Sequence, residues 1–323
     1  MRVLSTKQVA LAVGGLACLL PVLPTPTNLL AALPAVAMIA GALIGIGWNS
    51  PQPASSRRLS RFLMQGSVVL LGFSINLAEI AQAGSRGLVF SLVSISSVFA
   101  VGWLLQRAMK IRSMTGLLIS AGTAICGGSA IAAVSTVVES PAEDVAVAAG
   151  AVFVLNGIAL LVFPPIGHAL GLSQYAFGVW SGIAIHDIAS VVGAGAAYGS
   201  VALKVATAVK LSRVLFLAPI LVAAMALRRR GVSAGQRTAA SPMPWFVGLF
   251  LLASAARSFS PTLAAHSTDV KQWASVGFCL SLFLTGTALT RTSLKSVGIK
   301  PLLMGFVLWI FIASGSLLAV KLS

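Results

Sequence analysis

Acidic residues are nearly missing from this chain: Asp and Glu together number 6 in 323 residues. A cation carrier would be expected to hold more carboxylates in its interior, so the scarcity argues against one. Charge of either sign is sparse, at 9% of residues, where a soluble domain would carry roughly a quarter. Cysteine is also rare. Cys18, Cys126 and Cys279 each lie inside an apolar stretch, which is neither a disulfide framework nor a zinc pattern. No HExxH signature and no Walker A loop occurs, so the sequence calls for no metal, cofactor or catalytic residue. Period-2 alternation is missing from the apolar runs, which excludes a membrane barrel. A basic stripe interleaved with exposed aromatics is missing too, so a net charge of +16 does not point to nucleic acid.

What remains is apolar. Hydrophobic residues make up 58% of the chain and the mean hydropathy is +0.98. Charges cluster between apolar runs of about 20 residues, each long enough to cross a hydrocarbon core of about 30 Å as a helix. Eleven such segments are expected, near 8–23, 28–48, 62–82, 86–106, 114–138, 144–167, 174–198, 203–227, 244–260, 271–290 and 301–320. The first reads as a retained helix rather than a signal peptide, because Pro21 to Pro24 offers no small-x-small cleavage site. The expectation is one all-α integral membrane domain with an extra helix at 1–23 and halves at 24–170 and 171–323.

The basic residues orient it. Arg2 and Lys7, then Arg57, Arg58 and Arg61, Arg107, Lys110 and Arg112, Arg228 to Arg230 with Arg237, and Arg291, Lys295 and Lys300 fall on one side if every segment crosses once. They are 15 of the 22 basic residues, so the N-terminus should be cytoplasmic and the C-terminus outside.

Two segments break the apolar pattern. Segment five carries Ala-Gly-Thr-Ala-Ile-Cys-Gly-Gly-Ser-Ala at 121–130, and segment seven Ser-Gly-Ile-Ala-Ile-His-Asp-Ile-Ala-Ser at 181–190. Both share Gly-x-Ala-Ile, 60 residues apart. Each is either a broken helix that crosses or a re-entrant hairpin. A second echo, at an offset of 214, relates Leu70, Gly72, Gly84, Leu88 and Val93 to Leu284, Gly286, Gly298, Leu302 and Val307. Opposite orientations of these segments make an inverted-topology repeat, as many secondary transporters use.

Backbone groups freed at Cys126, Gly127 and Gly128 must face protein, water or a ligand. A helix restarting near Ser129 would turn its positive end toward the break, with Thr123 and Ser129 as hydroxyl donors. His186 and Asp187 form an ionisable pair deep in a span, the usual mark of a transport site, with Ser190 on the same face as His186. Lys210 and Arg213 share a face with Thr207. Arg213 lies 15 residues before Arg228, about 22 Å along a helix, too deep for the cytoplasmic cluster; the alternative is outward snorkelling. Gln65, Gly72, Asn76 and Glu79 would form one polar helical face. Asn156 reads first as an interhelical hydrogen bond, and Glu143 and Asp144 as complements to a helix dipole.

Two interior cations and a titratable His186 against one certain carboxylate favour a small anionic substrate. The candidate substrate site is Asn76, Thr123, Cys126 to Ser129, Asn156, His186, Asp187, Ser190, Lys210 and Arg213. Proton coupling would fall on His186 or Asp187, and a sodium ion would use the carbonyls around Cys126 to Gly128. The rival readings are an intramembrane enzyme and an anion channel. Beyond the lipid bilayer, a homodimer is the one protein partnership left open.

The stretches "AGTAICGGSAIAAV", "WSGIAIHDIASVVGAGAAYG", "ALKVATAVKLSRVLFLAP" and "MPWFVG" closely resemble the YeiH family of bacterial inner-membrane proteins, which carries the label sulfate exporter. The resemblance covers roughly residues 30–320. It implies the group of cation:proton antiporters and anion transporters, and a fold like the bile-acid symporters, with inverted repeats and discontinuous helices crossing at mid-membrane. It implies site positions at Gly122 to Ser129, His186, Asp187, Lys210 and Arg213. The family often has Thr-Ala-Gln after His-Asp; Ile188-Ala189-Ser190 stand here, a departure that would retune the pocket.

Overall fold

The computed structural model describes residues 6–20, 27–49, 52–229, 245–260, 262–263 and 266–322, and holds no strand among them. The helices are α1 (Thr6–Ala17), α2 (Thr27–Trp48), α3 (Ala54–Gly72), α4 (Leu77–Ala108), α5 (Ser113–Ala124), α6 (Gly128–Val138), α7 (Ala142–Ala169), α8 (Gln174–Ala184), α9 (Ile188–Tyr198), α10 (Ser200–Leu215), α11 (Leu217–Arg229), α12 (Trp245–Phe259), α13 (Ser267–Thr287), α14 (Arg291–Val297) and α15 (Ile299–Leu322). Among the described residues, four stretches are long and apolar enough to cross a membrane unaided: Phe90–Ala108, Ala142–Ala169, Ser200–Val222 and Ile299–Leu322. The bent pair α13 and α14, with 68° between them, makes a fifth. Segments five and seven are each divided by a break into two shorter helices, α5 with α6 and α8 with α9.

One boundary moves. The sequence reading placed segments at 62–82 and 86–106, but α3 ends at Gly72 and α4 runs unbroken from Leu77. Three successive i to i+3 bonds, from the N–H groups of Phe73, Ser74 and Ile75, tighten the end of α3. Asn76 then caps α4, its Oδ1 accepting from the Ala78 N–H at 2.9 Å. Hydropathy hides this break because Phe73, Ile75 and Leu77 are themselves apolar. The expected polar face of Gln65, Gly72, Asn76 and Glu79 therefore does not form: its members are split between two helices.

Both interrupted segments fold back on themselves. In α5–α6, a Cβ added to Gly122 would lie 2.9 Å from the Ile131 Cδ1. A straight helix would hold residues nine apart about 13 Å from each other. The two ends also meet: the Ser140 hydroxyl reaches the Met114 sulfur at 3.9 Å, and Thr115 Oγ1 donates to Asp144. In α8–α9, Gly178 and Gly182 climb α10 against the carbonyls of Ala202 and Ala206, while Gly195 descends to Ala202 and Leu203. Its ends are tied by the Tyr198 hydroxyl donating to Leu172 O at 2.5 Å and the Val201 N–H donating to Gln174 Oε1 at 2.9 Å. Each is a helical hairpin whose two arms lie side by side.

The hairpins share their boundaries at a spacing of 60 residues: Ala124 and Ala184 end the first arms, and Gly128–Val138 and Ile188–Tyr198 are the second arms. Helix α7 lies between them, about 42 Å long for its 28 residues. The first hairpin has its base at the N-terminus of α7, where Arg112 bridges to Glu143 at 3.0 Å and to Asp144 at 3.1 Å. The second has its base at the C-terminus of α7, where His168 stacks on Tyr198 with ring centroids 4.2 Å apart. The hairpins therefore enter from opposite ends.

Around them pack α4, α10, α11 and α15. A second group consists of α1, α2, α3, α12 and α13. Here α2 and α13 touch through their backbones, since a Cβ at Gly41 or Gly286 would strike a main-chain carbonyl of the other helix. Small residues permit that approach. Helix α1 buries Cys18 against Leu33, Ala37, Cys279 and Phe283, so it is part of the packed fold. The two groups meet chiefly where α9 lies on α2 and α13.

Candidate functional site at the hairpin tips

The tips of the two hairpins touch beside the middle of α7. Gly127 has φ +67° and ψ −129°, a conformation that only glycine adopts without strain. A Cβ on it would sit 3.3 Å from the Asp187 Cβ. Glycine is thus required twice, by its own backbone and by the opposing tip.

The second tip hangs on Asn156. Its Oδ1 accepts from the N–H groups of His186 at 3.1 Å and Asp187 at 3.3 Å. The interhelical role expected of this amide is the one its carbonyl performs. Asp187 lies outside the helix and caps α9, with Oδ1 accepting from the Ser190 N–H at 2.8 Å and Oδ2 from the Ser190 hydroxyl at 2.6 Å. This corrects one expectation: Ser190 is bound to Asp187 and does not share a helical face with His186, which lies outside α9. The reason is the break itself, which needs a cap at the restart of α9.

Both cations come from α10. Lys210 Nζ donates to Ile125 O at 3.3 Å. Arg213 donates through Nη2 to Ala124 O and through Nη1 to the Ser94 hydroxyl at 2.8 Å. Neither snorkels, for both are 0% exposed. They satisfy carbonyls that the end of α5 leaves without helical partners, at the negative end of its dipole. Thr207 turns away, donating to Leu203 O at 2.7 Å. At the first tip, the Cys126 Sγ and Ser129 Oγ stand 2.8 Å apart, and the Ser129 hydroxyl also donates to Cys126 O at 3.1 Å.

Several buried polar atoms here have no protein partner. They are Thr123 Oγ1, Asn156 Nδ2, both ring nitrogens of His186 and Arg213 Nε. An unpaired buried donor is costly, and these atoms sit on the elements that meet at the hairpin tips. The His186 ring is hydrogen-bonded to neither Asp187 nor Ser129. No group of three or more His, Cys, Asp or Glu side chains suited to a metal occurs among the described residues.

The family model described as Conserved hypothetical protein 698 matches residues 8–305. A "UPF0324 membrane protein" of Bacteroides thetaiotaomicron is 40% identical over 88% of this chain and 85% of its own length. Relatives with the same description are 41% identical in Geobacter sulfurreducens, over 89% and 91%, and 38% identical in Bdellovibrio bacteriovorus, over 97% and 94%. The chain belongs to the UPF0324 family. The YeiH proteins are the same family. No solved structure matches the chain.

The UPF0324 match takes in both hairpins and α10, and hence every candidate site residue. Of the residues nominated from sequence, the fold assembles Thr123, Cys126 to Ser129, Asn156, His186, Asp187, Ser190, Lys210 and Arg213. Asn76 stands apart, capping α4 and accepting from the Ser258 hydroxyl at 3.2 Å. The sequence reading missed Ser94 on α4 and the carbonyls of Ala124 and Ile125. A serine in a serine-rich span gives no signal, and a carbonyl is common to every residue.

Proposed function

We propose that this chain is a secondary transporter that moves a small sulfate-like or organosulfur anion across the bacterial inner membrane, with export driven by a coupled ion. The observation that carries the reading is the meeting of two re-entrant tips over buried Lys210 and Arg213. Two cations, unpaired donors and the N-termini of α6 and α9 together favour negative charge. One carboxylate, Asp187, stands against them, and it is engaged as a cap. An intramembrane enzyme or an anion channel draws no support from a particular contact.

The repeat belongs to the same proposal. The units α5–α6–α7 and α8–α9–α10 each pair a hairpin with a following helix, and their hairpins enter from opposite ends. That is an inverted repeat of the kind used for alternating access. Nine of the eleven expected segments then cross and two re-enter. Arg107, Lys110 and Arg112 flank the base of the first hairpin, whereas residues 170–203 contain no Lys or Arg. The first base is therefore assigned to the cytoplasm, with the N-terminus inside and the C-terminus outside. Reporter fusions placing both termini on one side refute this orientation.

Coupling to H⁺ is assigned to His186 or Asp187, with Na⁺ at the carbonyls of the first tip as the alternative. The direct test is counterflow of labelled sulfate and short organosulfonates into proteoliposomes. Saturable exchange, abolished by Arg213→Gln and partly kept by Arg213→Lys, is expected. Linear, non-saturating flux indicates a channel, and formation of a chemically altered product indicates an enzyme.

A further inference from the structure

A cavity of 460 Å³ lies away from the tips, where α9 and the start of α10 meet α2, α3 and α13. Its lining is graded. Ser200 is exposed and Lys271 and Gln272 are half-buried at one end. Leu71, Val192 and Phe278 are buried at the other. No carboxylate is among the lining residues, and Lys204 stands within electrostatic range of Lys271. Along α9 the cavity runs from Gly199 to Val192, about 10 Å at 1.5 Å per residue. It ends short of the tip, since Val192 is five residues, or about 7.5 Å, from Asp187.

A bare inorganic anion is strongly hydrated and gains nothing from an apolar floor. A molecule with an anionic head and a short alkyl tail matches both ends: the head beside the lysines, the tail among the apolar side chains. Cavities in this size range are the usual ones for small organic ligands. We infer that this cavity is a second binding site, for an amphipathic organic anion bearing a sulfonate or carboxylate head and a short alkyl chain. It lies between the two helix groups, near the base of the second hairpin. It is distinct from the tip site and does not depend on the tip site binding anything. An anionic lipid headgroup shares the same chemistry; the proposal commits to a soluble anion.

The test is calorimetric titration of the full chain, held in phosphatidylcholine nanodiscs, with butane-, hexane- and octanesulfonate. Affinity should tighten about fourfold per methylene from butane to hexane, the ratio equivalent to about 0.8 kcal/mol per buried CH₂. Val192→Phe, which fills the floor, should remove that dependence. Lys271→Gln, at the half-buried mouth, should weaken hexanesulfonate about tenfold while leaving the chain-length ratio intact. Affinity independent of chain length, or hexanesulfonate bound equally well by both variants, overturns the proposal. So does displacement of hexanesulfonate by added phosphatidylglycerol in wild type but not in Lys271→Gln, which assigns the cavity to lipid.

Discussion

Replacing Gly127 by alanine tests the contact between the two tips. Two separate costs follow from the structure. With φ +67° and ψ −129°, an L side chain is strained, a penalty of about 1–3 kcal/mol. The new methyl would also lie 3.3 Å from the Asp187 Cβ and 3.5 Å from its Cα and N. Those atoms belong to a backbone held by Asn156, so they yield little, and overpacking of this sort costs a further ~1–3 kcal/mol. Gly171 supplies the control. It has φ +62°, but nothing lies within 4 Å of an added Cβ. Gly171→Ala should therefore show backbone strain alone. Equilibrium unfolding of purified protein in mixed micelles should place Gly127→Ala below Gly171→Ala by about 1–3 kcal/mol. Counterflow should fall in Gly127→Ala and be kept in Gly171→Ala. Equal losses of stability in the two variants would mean that the tips do not touch, and the site as described would be refuted.

Asp187→Asn keeps a good capping residue and removes the charge, so the fold should persist, whereas Asp187→Ala should cost about 1 kcal/mol of stability by losing the cap; mixed-micelle unfolding separates the two, and equal stability of both variants would show that Asp187 is not a cap. Asn156→Leu leaves the buried N–H of His186 and the part-buried N–H of Asp187 without an acceptor, at about 1–3 kcal/mol for the buried one, so it should rank among the most destabilising single changes in α7, and a loss under 1 kcal/mol would refute the suspension of the second tip.

Much of the site was legible in sequence because membrane burial makes polar residues conspicuous. Glycine pairs, His186, Asp187, Lys210 and Arg213 stand out against an apolar background that tolerates few such residues. The shared Gly-x-Ala-Ile motif even marked the two breaks with their common spacing. Asn76 misled for the same reason: a polar residue in an apolar run signals need, but a helix cap and a ligand contact look alike in one dimension.

Composition and charge pattern alone determined that this is a helical membrane protein, because hydropathy and the length of apolar runs are local properties of the chain. The same holds for the breaks at 125–127 and 185–187, which glycine and ionisable residues announce. Whether those breaks cross or return was not local. It depends on which residues meet across the turn, Gly122 with Ile131 and Tyr198 with Leu172, and hydropathy is identical for both outcomes. The partners of the cations were equally out of reach: Lys210 and Arg213 bind carbonyls 85 and 89 residues away. Only the three-dimensional fold brings an α-helix end to them, and it does so because buried carbonyls without helical partners and buried cations without counterions satisfy one another.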